Sequence, residues 1–449
     1  MTTETVTISH LGAQGDGIAE GPEGPIYVGF TLPGETVTID QQKNKGQLLS
    51  VDQPSPQRVE PPCSYFGPQG KSCGGCALQH MNMDAYYVWK RQLVVDALAS
   101  RGIEADVLQT VQCSPLGRRR AVFSAQSTRN GLLFGFNQAG THNIVDIKHC
   151  TVLSPAITNR LDAFRSLANL LARSGKSFRL QVLATLTGLD VSIENMSQLS
   201  EKQRQQATAL ALQLGFARLS LGSETLVEAH KPIIRFSGVD VSPPPIGFVQ
   251  ASVEAQDRMV AIVAEHLSGL KRVADLFSGS GTFTFELARQ SAVHAVEADG
   301  PAMAALDQAA RHAKGLKPIS VEKRDLYRRP LQPADLKKID GVTFDPPRAG
   351  AQEQAEELAK SKVGKVAAVS CNPATLARDL RILLDGGFRI RSVTPIDQFV
   401  WTAHVEAIAL LEQLRKQVSL QIDSGELPNH LFLIVSILYN DSCRGSRPG

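Results

Sequence analysis

Cys371 follows the apolar run Lys365-Val366-Ala367-Ala368-Val369-Ser370 and precedes Asn372-Pro373-Ala374-Thr375-Leu376. An Asn able to cap a helix, with Pro at the first helical position, places this thiol at a helix N-terminus. The dipole there favours the thiolate, which is the reactive form of cysteine. The same thiol buried among apolar side chains would be inert, so residue type alone leaves both readings open. A second group of thiols comprises Cys63, Cys73 and Cys76, with Cys150 further along in Val145-Asp146-Ile147-Lys148-His149-Cys150. Four thiolates suit a structural zinc or a 4Fe-4S cluster, and spacing does not choose between them. Cys113 and Cys443 stand outside the pattern and read as ordinary thiols.

A glycine turn, Ser278-Gly279-Ser280-Gly281-Thr282, joins the short apolar strand Val273-Ala274-Asp275-Leu276-Phe277 to a helix starting at Phe283. Glycines there let the backbone approach a ligand at the carboxyl end of a strand. The next strand, ending in Glu297, offers a carboxylate to the two hydroxyls of a ribose, and the following strands are expected to end in Asp325 and Asp345. The dinucleotide fingerprint wants a third glycine where this chain has Thr284, so a nicotinamide cofactor loses ground to S-adenosylmethionine. Asp345-Pro346-Pro347-Arg348 resembles the acidic Pro-Pro motif of amino-group methyltransferases without its aromatic fourth residue. With a Cys one strand later, methyl transfer to a ring carbon fits better than transfer to an exocyclic nitrogen.

The elements that must hold these residues divide the chain of 449 residues into about three domains. With 43% hydrophobic and 20% charged residues the chain is globular, and a net charge of +3 tolerates an RNA partner without demanding one. No apolar run is long enough to span a membrane and no signal peptide opens the chain, so a cytoplasmic protein is expected, with reduced thiols. Residues 1–55 show alternating short runs and Gly-rich turns, the pattern of a small β-barrel. Residues 56–245 begin at the Pro-rich joint around Pro54-Ser55-Pro56 and carry a helical pattern over 80–101 and strands near 119–147 and 178–194, an α+β domain. Residues 246–411 alternate strand and helix strictly, an α/β domain with a mostly parallel sheet. The tail, 412–449, has no functional reading. Arg118-Arg119-Arg120 reads either as a phosphate contact or as a solvated charge run.

Together, Asp275-Leu276-Phe277-Ser278-Gly279-Ser280-Gly281-Thr282, Asp345-Pro346-Pro347-Arg348-Ala349-Gly350, Ser370-Cys371-Asn372-Pro373 and His404-Val405-Glu406 strongly resemble the RNA uracil-C5-methyltransferases. The resemblance covers nearly all of residues 1–411. It implies an OB-like TRAM barrel over 1–55, a central domain with a 4Fe-4S cluster on Cys63, Cys73, Cys76 and Cys150, and a class I S-adenosylmethionine-dependent methyltransferase (Rossmann-like) domain over 246–411. The gap of nine residues between Cys63 and Cys73 is longer than the family's, the insertion Gly67-Pro68-Gln69-Gly70-Lys71 reading as a longer loop. Phe248-Val249-Gln250 is similar to the motif that opens the catalytic domain, which assigns Gln250 to the methionine end of the cofactor. Phe277, Thr282, Glu297, Asp325 and Asp345 fall on the family's other cofactor and substrate positions.

Uracil C5 is too weak a nucleophile to attack a sulfonium methyl, so a thiolate must first add to C6 and make C5 enolate-like. The resemblance makes Cys371 that nucleophile and Glu406 the base that removes the C5 proton afterwards. The target base must leave its stack to reach both. The implied partner is RNA, 23S ribosomal RNA ahead of tRNA, for a monomer with no protein partner. The rival from another class is a non-catalytic RNA-binding assembly factor, against which the presence of both Cys371 and Glu406 argues.

Overall fold

The computed structural model describes residues 2–68, 72–172, 176–196 and 198–413. The expectations for Cys443, for the tail from residue 414 and for Gln69, Gly70 and Lys71 of the cysteine loop lie outside the described residues. The N-terminal strands close into a five-stranded barrel in the order Thr2–Leu11, Gly17–Gly21, Gly24–Val28, Lys45–Gln53, Thr36–Gln42, the last pairing back onto the first. Alternation along each strand turns Ile8, Ala19, Ile26, Val28, Val37 and Ile39 inward as a small core. Closure removes the exposed edges that so short a sheet would otherwise present. The buried Glu35 carboxylate accepts from Arg58 Nε at 2.5 Å and Nη2 at 2.7 Å, and so ties the barrel to the joint that follows.

The middle of the chain forms a seven-stranded sheet in the order Glu224–Glu228, Arg218–Leu221, Gly188–Glu194, Ser177–Thr185, Arg120–Thr128, Gly131–Asn137, Ile144–Asp146. Helices Leu161–Leu171 and Glu201–Gln213 pack on it around Phe123, Phe134, Phe164, Phe178 and Phe216. The helix Met83–Ala99, capped by Asn82, which accepts from Ala85 N at 2.9 Å, goes elsewhere. Its Val94 and Leu98 enter the core that holds Leu276, Phe344 and Leu380. Residues 107 and 111 then bridge in parallel to Val393 and Ile396. The stretch 83–111 is therefore packed on the catalytic sheet.

That sheet runs Ile319–Lys323, Ala292–Glu297, Arg272–Leu276, Gly341–Phe344, Lys365–Ser370, Glu406–Gln413, Phe388–Ile396. Counted in chain order this is 3-2-1-4-5-7-6, with Glu406–Gln413 antiparallel to both neighbours. The alternation of strand and helix, with a 3-10 helix between the third and fourth strands, breaks only after the sixth strand, Phe388–Ile396. Between Ile396 and Glu406 stand residues 397–405 without a helix, too few for the dozen or more that a parallel crossover needs. The order reverses between Arg272–Leu276 and Gly341–Phe344, and the crevice at the carboxyl ends of strands beside such a reversal is where open α/β sheets bind ligands.

Candidate active site

The glycine turn lies in that crevice. Phe277 takes a left-handed φ of 57°, followed by Gly279 at 54° and Gly281 at 103°. A Cβ on Gly281 would stand 2.5 Å from the Phe285 ring, so the turn closes on its helix only with glycine there. The helix is shorter than the sequence suggests, Thr284–Leu287. Thr284, which stands where a dinucleotide fold would have glycine, donates through Oγ1 to Asp275 Oδ2 at 2.5 Å. Burial, and then the neighbouring Asp345 and Glu297 carboxylates, push Asp275 up to about 7. Its Oδ1 and the hydroxyls of Ser278 and Ser280 are buried without a protein partner, polar atoms that a bound ligand can satisfy. Glu297 accepts from Gly279 N at 2.9 Å through Oε2 and from Ala298 N and Asp299 N through Oε1. Thr282 closes the turn, half-buried. Asp325 stands two residues past the end of its strand at Lys323, because its Oδ1 accepts from Tyr327 N at 3.0 Å in a tight turn that ends the ladder. Tyr327 packs its ring 5.5 Å from that of Phe277, which brings the Asp325 turn to the border of the glycine turn.

Cys371 and Glu406 meet at the carboxyl end of the fifth strand. Ser370 pairs with Ala407 in the antiparallel ladder, so the next position on each strand sets Cys371 against Glu406. Asn372 caps the following helix as expected, accepting from Ala374 N at 3.1 Å. The thiol, however, is not poised as a thiolate. Burial first, then the Glu406 and Asp345 carboxylates, push it up to about 11, while the charge and hydrogen bond of Arg348 work the other way. Glu406 is 2% exposed, and burial, followed by repulsion from Asp345, pushes it up to about 8. Gln398 Nε2 donates to its Oε2. Its Oε1 has no partner. A cavity of about 600 Å³ opens over Cys371, walled by Arg348 and His404, by Trp89, Gln92 and Asp96 of the helix Met83–Ala99, and by Leu11 and Gln14 of the barrel.

A family model described as tRNA (Uracil-5-)-methyltransferase matches residues 244–414. An uncharacterized RNA methyltransferase of Agrobacterium fabrum is 53% identical over 92% of this chain and 100% of its own length. The 23S rRNA (uracil(1939)-C(5))-methyltransferase RlmD of Shewanella amazonensis is 32% identical over 90% of this chain and 94% of its own. The chain belongs to the RNA uracil-C5-methyltransferase family. Its fold is that of the tRNA (uracil-54, C5)-methyltransferase of Pyrococcus abyssi in complex with S-adenosyl-L-homocysteine, with a TM-score of 0.70 at 22% identity over 91% of this chain and 100% of that one.

Gln398, Lys90 and Asp397, which no motif pointed to, support the site of this methyltransferase together with Gln250 and Arg119. Gln250 Nε2 donates to Asp345 Oδ2 at 2.9 Å, and Gln398 Nε2 donates to Gln250 Oε1 at 3.1 Å, so two amides link Asp345 to Glu406. Arg119 is 6% exposed and holds the Gln250 carbonyl from Nε at 3.0 Å and Gln256 Oε1 from Nη2 at 2.7 Å. It is neither a solvated charge nor a phosphate contact; its fork is occupied inside the protein. Lys90 pairs with Asp397 at 3.0 Å with both side chains fully buried, Tyr86 donates to the same oxygen at 2.9 Å, and Lys90 also donates to the His404 carbonyl. This pins residues 397–406, which carry Gln398 and Glu406, to the helix Met83–Ala99. A signal existed in the sequence: Tyr86, Lys90, Val94 and Leu98 recur every four residues on one buried face, and a lysine in such a row needs a partner.

Cys63, Cys73, Cys76 and Cys150 line one cavity of about 240 Å³ whose walls include Tyr65, Phe66, Phe136, His149 and Arg118. Among the described residues no group of three or more His, Cys, Asp or Glu side chains converges closely enough to hold a metal ion. Burial first, then the neighbouring thiols, push Cys76 up to about 12, and burial likewise leads for Cys73 at about 11. The loop that follows is joined to the catalytic end: Ala77 N and Leu78 N both donate to the Trp401 carbonyl, at 2.7 and 3.2 Å. Cys113 lies apart, 3% exposed in an apolar core.

Proposed function

We propose that this methyltransferase makes 5-methyluridine in 23S ribosomal RNA through a covalent bond between Cys371 and uracil C6. The observation that carries the mechanism is the register that sets Cys371 against Glu406 at one strand end. S-adenosylmethionine, when bound, supplies an electrophilic sulfonium methyl. Phe277, Thr282 and the glycine turn cradle it, Glu297 and Asp325 take its ribose and adenine side, and Gln250 and Asp345 border its methionine end. The unpartnered oxygens of Asp275, Ser278 and Ser280 support a polar ligand there.

The chain's own groups divide the work. Arg348 opposes the burial of Cys371 and stabilises the thiolate that adds to C6, which makes C5 nucleophilic. Glu406, raised to about 8, is matched to accept a proton near neutral pH, and takes the one left on C5 after transfer. Elimination then returns Cys371. The RlmD relative, similar over 90% of this chain, supports ribosomal RNA as the substrate. The lining of one cavity by Cys63, Cys73, Cys76 and Cys150 supports a group held by four thiolates, and the family resemblance makes that group a 4Fe-4S cluster. We assign it a structural role, since the cysteine loop is bonded to Trp401 beside the catalytic segment.

Glu406→Gln incubated with methyl-labelled cofactor and RNA tests the reading. Attack and transfer proceed, elimination stalls, and a labelled protein–RNA band persists on a denaturing gel. Full turnover without trapping removes Glu406 from the mechanism. Trapping on tRNA in place of 23S RNA fragments reassigns the substrate.

A further inference from the structure

Gln398 occupies a position that nothing in the reaction scheme above uses. Its Oε1 accepts from the main-chain N–H of Ala251 at 3.2 Å. That single bond fixes which end of the amide faces the site, because a main-chain N–H donates only. The Nε2 end therefore points at both Glu406 Oε2 and Gln250 Oε1. Gln250, held by its carbonyl oxygen, must in turn present its own Nε2 to Asp345. Both amides are oriented by one main-chain hydrogen. The consequence at Glu406 is asymmetry: Oε2 is permanently engaged by a donor, while Oε1 is buried and unpartnered. A buried carboxylate oxygen without a donor is the stronger proton acceptor of the two.

We propose that Gln398 is the positioning residue of the base: it clamps Glu406 by Oε2 and so reserves Oε1 for the proton on uracil C5. This rests on Glu406 being the base. In the step itself the C5–H bond breaks and its proton bonds to Oε1. The electron pair left behind forms the C5=C6 bond, the C6–S bond breaks, and its pair departs with Cys371 as thiolate. Gln398 exchanges no proton. It keeps the carboxylate from rotating Oε1 away and, as a donor, opposes the burial and the Asp345 repulsion that raise Glu406.

The test compares lifetimes of the methylated protein–RNA adduct in full-length protein across pH 6.5–9, followed by denaturing gel with methyl-labelled cofactor. Gln398→Met keeps the side-chain volume and removes the clamp. Its adduct should decay roughly 10- to 100-fold more slowly than wild type, the loss expected for one hydrogen bond to a charged group. Losing a donor raises Glu406 further, so the pH at which decay becomes efficient moves upward and the defect is largest at low pH. Gln398→Glu keeps an acceptor for Ala251 N–H and removes the N–H donors; its adduct should be long-lived as well, and because Gln398 also orients Gln250, lifetimes in both variants are read at saturating cofactor. A merely structural role would lower cofactor binding and RNA attack without lengthening the adduct's life or moving its pH profile, and would overturn the proposal. So would wild-type decay in both variants while Glu406→Gln traps RNA. If Glu406→Gln itself fails to trap, the assignment of the base falls, and the clamp with it.

Discussion

The thiols of Cys371 and of Cys73, Cys76 and Cys150 in the cysteine cavity are all raised by burial and differ in what is set against it. In both places burial is the leading cause of a raised pKa, leaving Cys371 and Cys73 at about 11 and Cys76 at about 12. At Cys371 a guanidinium, Arg348, counters it with charge and a hydrogen bond. The site's other two charges, Glu406 and Asp345, are themselves raised to about 8 and 7, so they stop repelling the thiolate once they hold protons. In the cavity the opposing groups on Cys73 and Cys76 are dipoles, Gly75 N–H and the Gln79 amide, and the neighbouring thiols add to the cost. A buried thiol with a cation beside it can be ionised by an arriving substrate. A set of buried thiols that repel one another, with Arg118 acting on Cys150, needs further positive charge in their midst to ionise together.

If that contrast is right, the two sets respond separately to mutation. Cys371→Ala should lower methylation by at least about 10⁴-fold, as removal of a covalent nucleophile does, with iron content and cofactor binding unchanged. Cys76→Ser should release iron, with modification of Cys371 by an alkylating reagent retained. Iron and methylation assays on the purified pair decide it. Loss of iron in Cys371→Ala would merge the two sites.

The next effect is on stability and separates the regions by pH. Asp275, Asp345 and Glu406 are raised to about 7, 7 and 8 from ordinary values of 3.8, 3.8 and 4.5. The folded state therefore keeps protons that the unfolded chain releases. The stability this confers is complete below about pH 4 and lost as pH rises through 7 and 8. Between pH 6 and 9 the loss should be on the order of 5 kcal/mol, read as a falling Tm. Cys73 and Cys76, raised to about 11 and 12, titrate above this window and add nothing to the slope. Glu406→Gln should flatten the slope and Cys73→Ser should not; the reverse would place the titrating groups at the wrong end of the molecule.

What the sequence made legible was whatever a local rule specifies. Asn372-Pro373 placed Cys371 at a helix start, the alternating runs before residue 55 specified a barrel, and the glycines at 279 and 281 marked the turn in the crevice. The thiolate expectation failed on magnitude. A helix N-terminus is worth about 0.3–1 kcal/mol, under a tenfold change in acidity, whereas burial leaves the thiol at about 11 against an ordinary 9.0. The rest is long-range and has no local pattern. Gln398 lies in a loop and reaches Gln250 across 148 positions, and the Lys90 hydrogen bond to the His404 carbonyl spans 314. Asp325 slipped past its strand because its own side chain made a turn that competes with the ladder.

The smallest effect comes from the sixth thiol in this comparison, Cys113, which lies apart from the other cysteines. It is 3% exposed in a core with Met259, Val263, Val369 and Ile396, and burial, then Glu254 and Asp397, push it up to about 12. Arg258 and Lys90 oppose that shift without overcoming it, and its sulfur does the work of a small apolar group. Cys113→Ala removes one heavy atom from a close-packed site, so it should cost about 1 kcal/mol through the void it leaves. Methylation rate and iron content should match wild type, and the urea midpoint should fall slightly with an unchanged slope. The measurement matters because Cys113 is less exposed than Cys76 and raised to a similar pKa of about 12. Were its replacement to release iron or stop methylation, burial alone would be enough to give a thiol a function, and the distinction between what surrounds Cys371 and what surrounds the cavity would lose its basis.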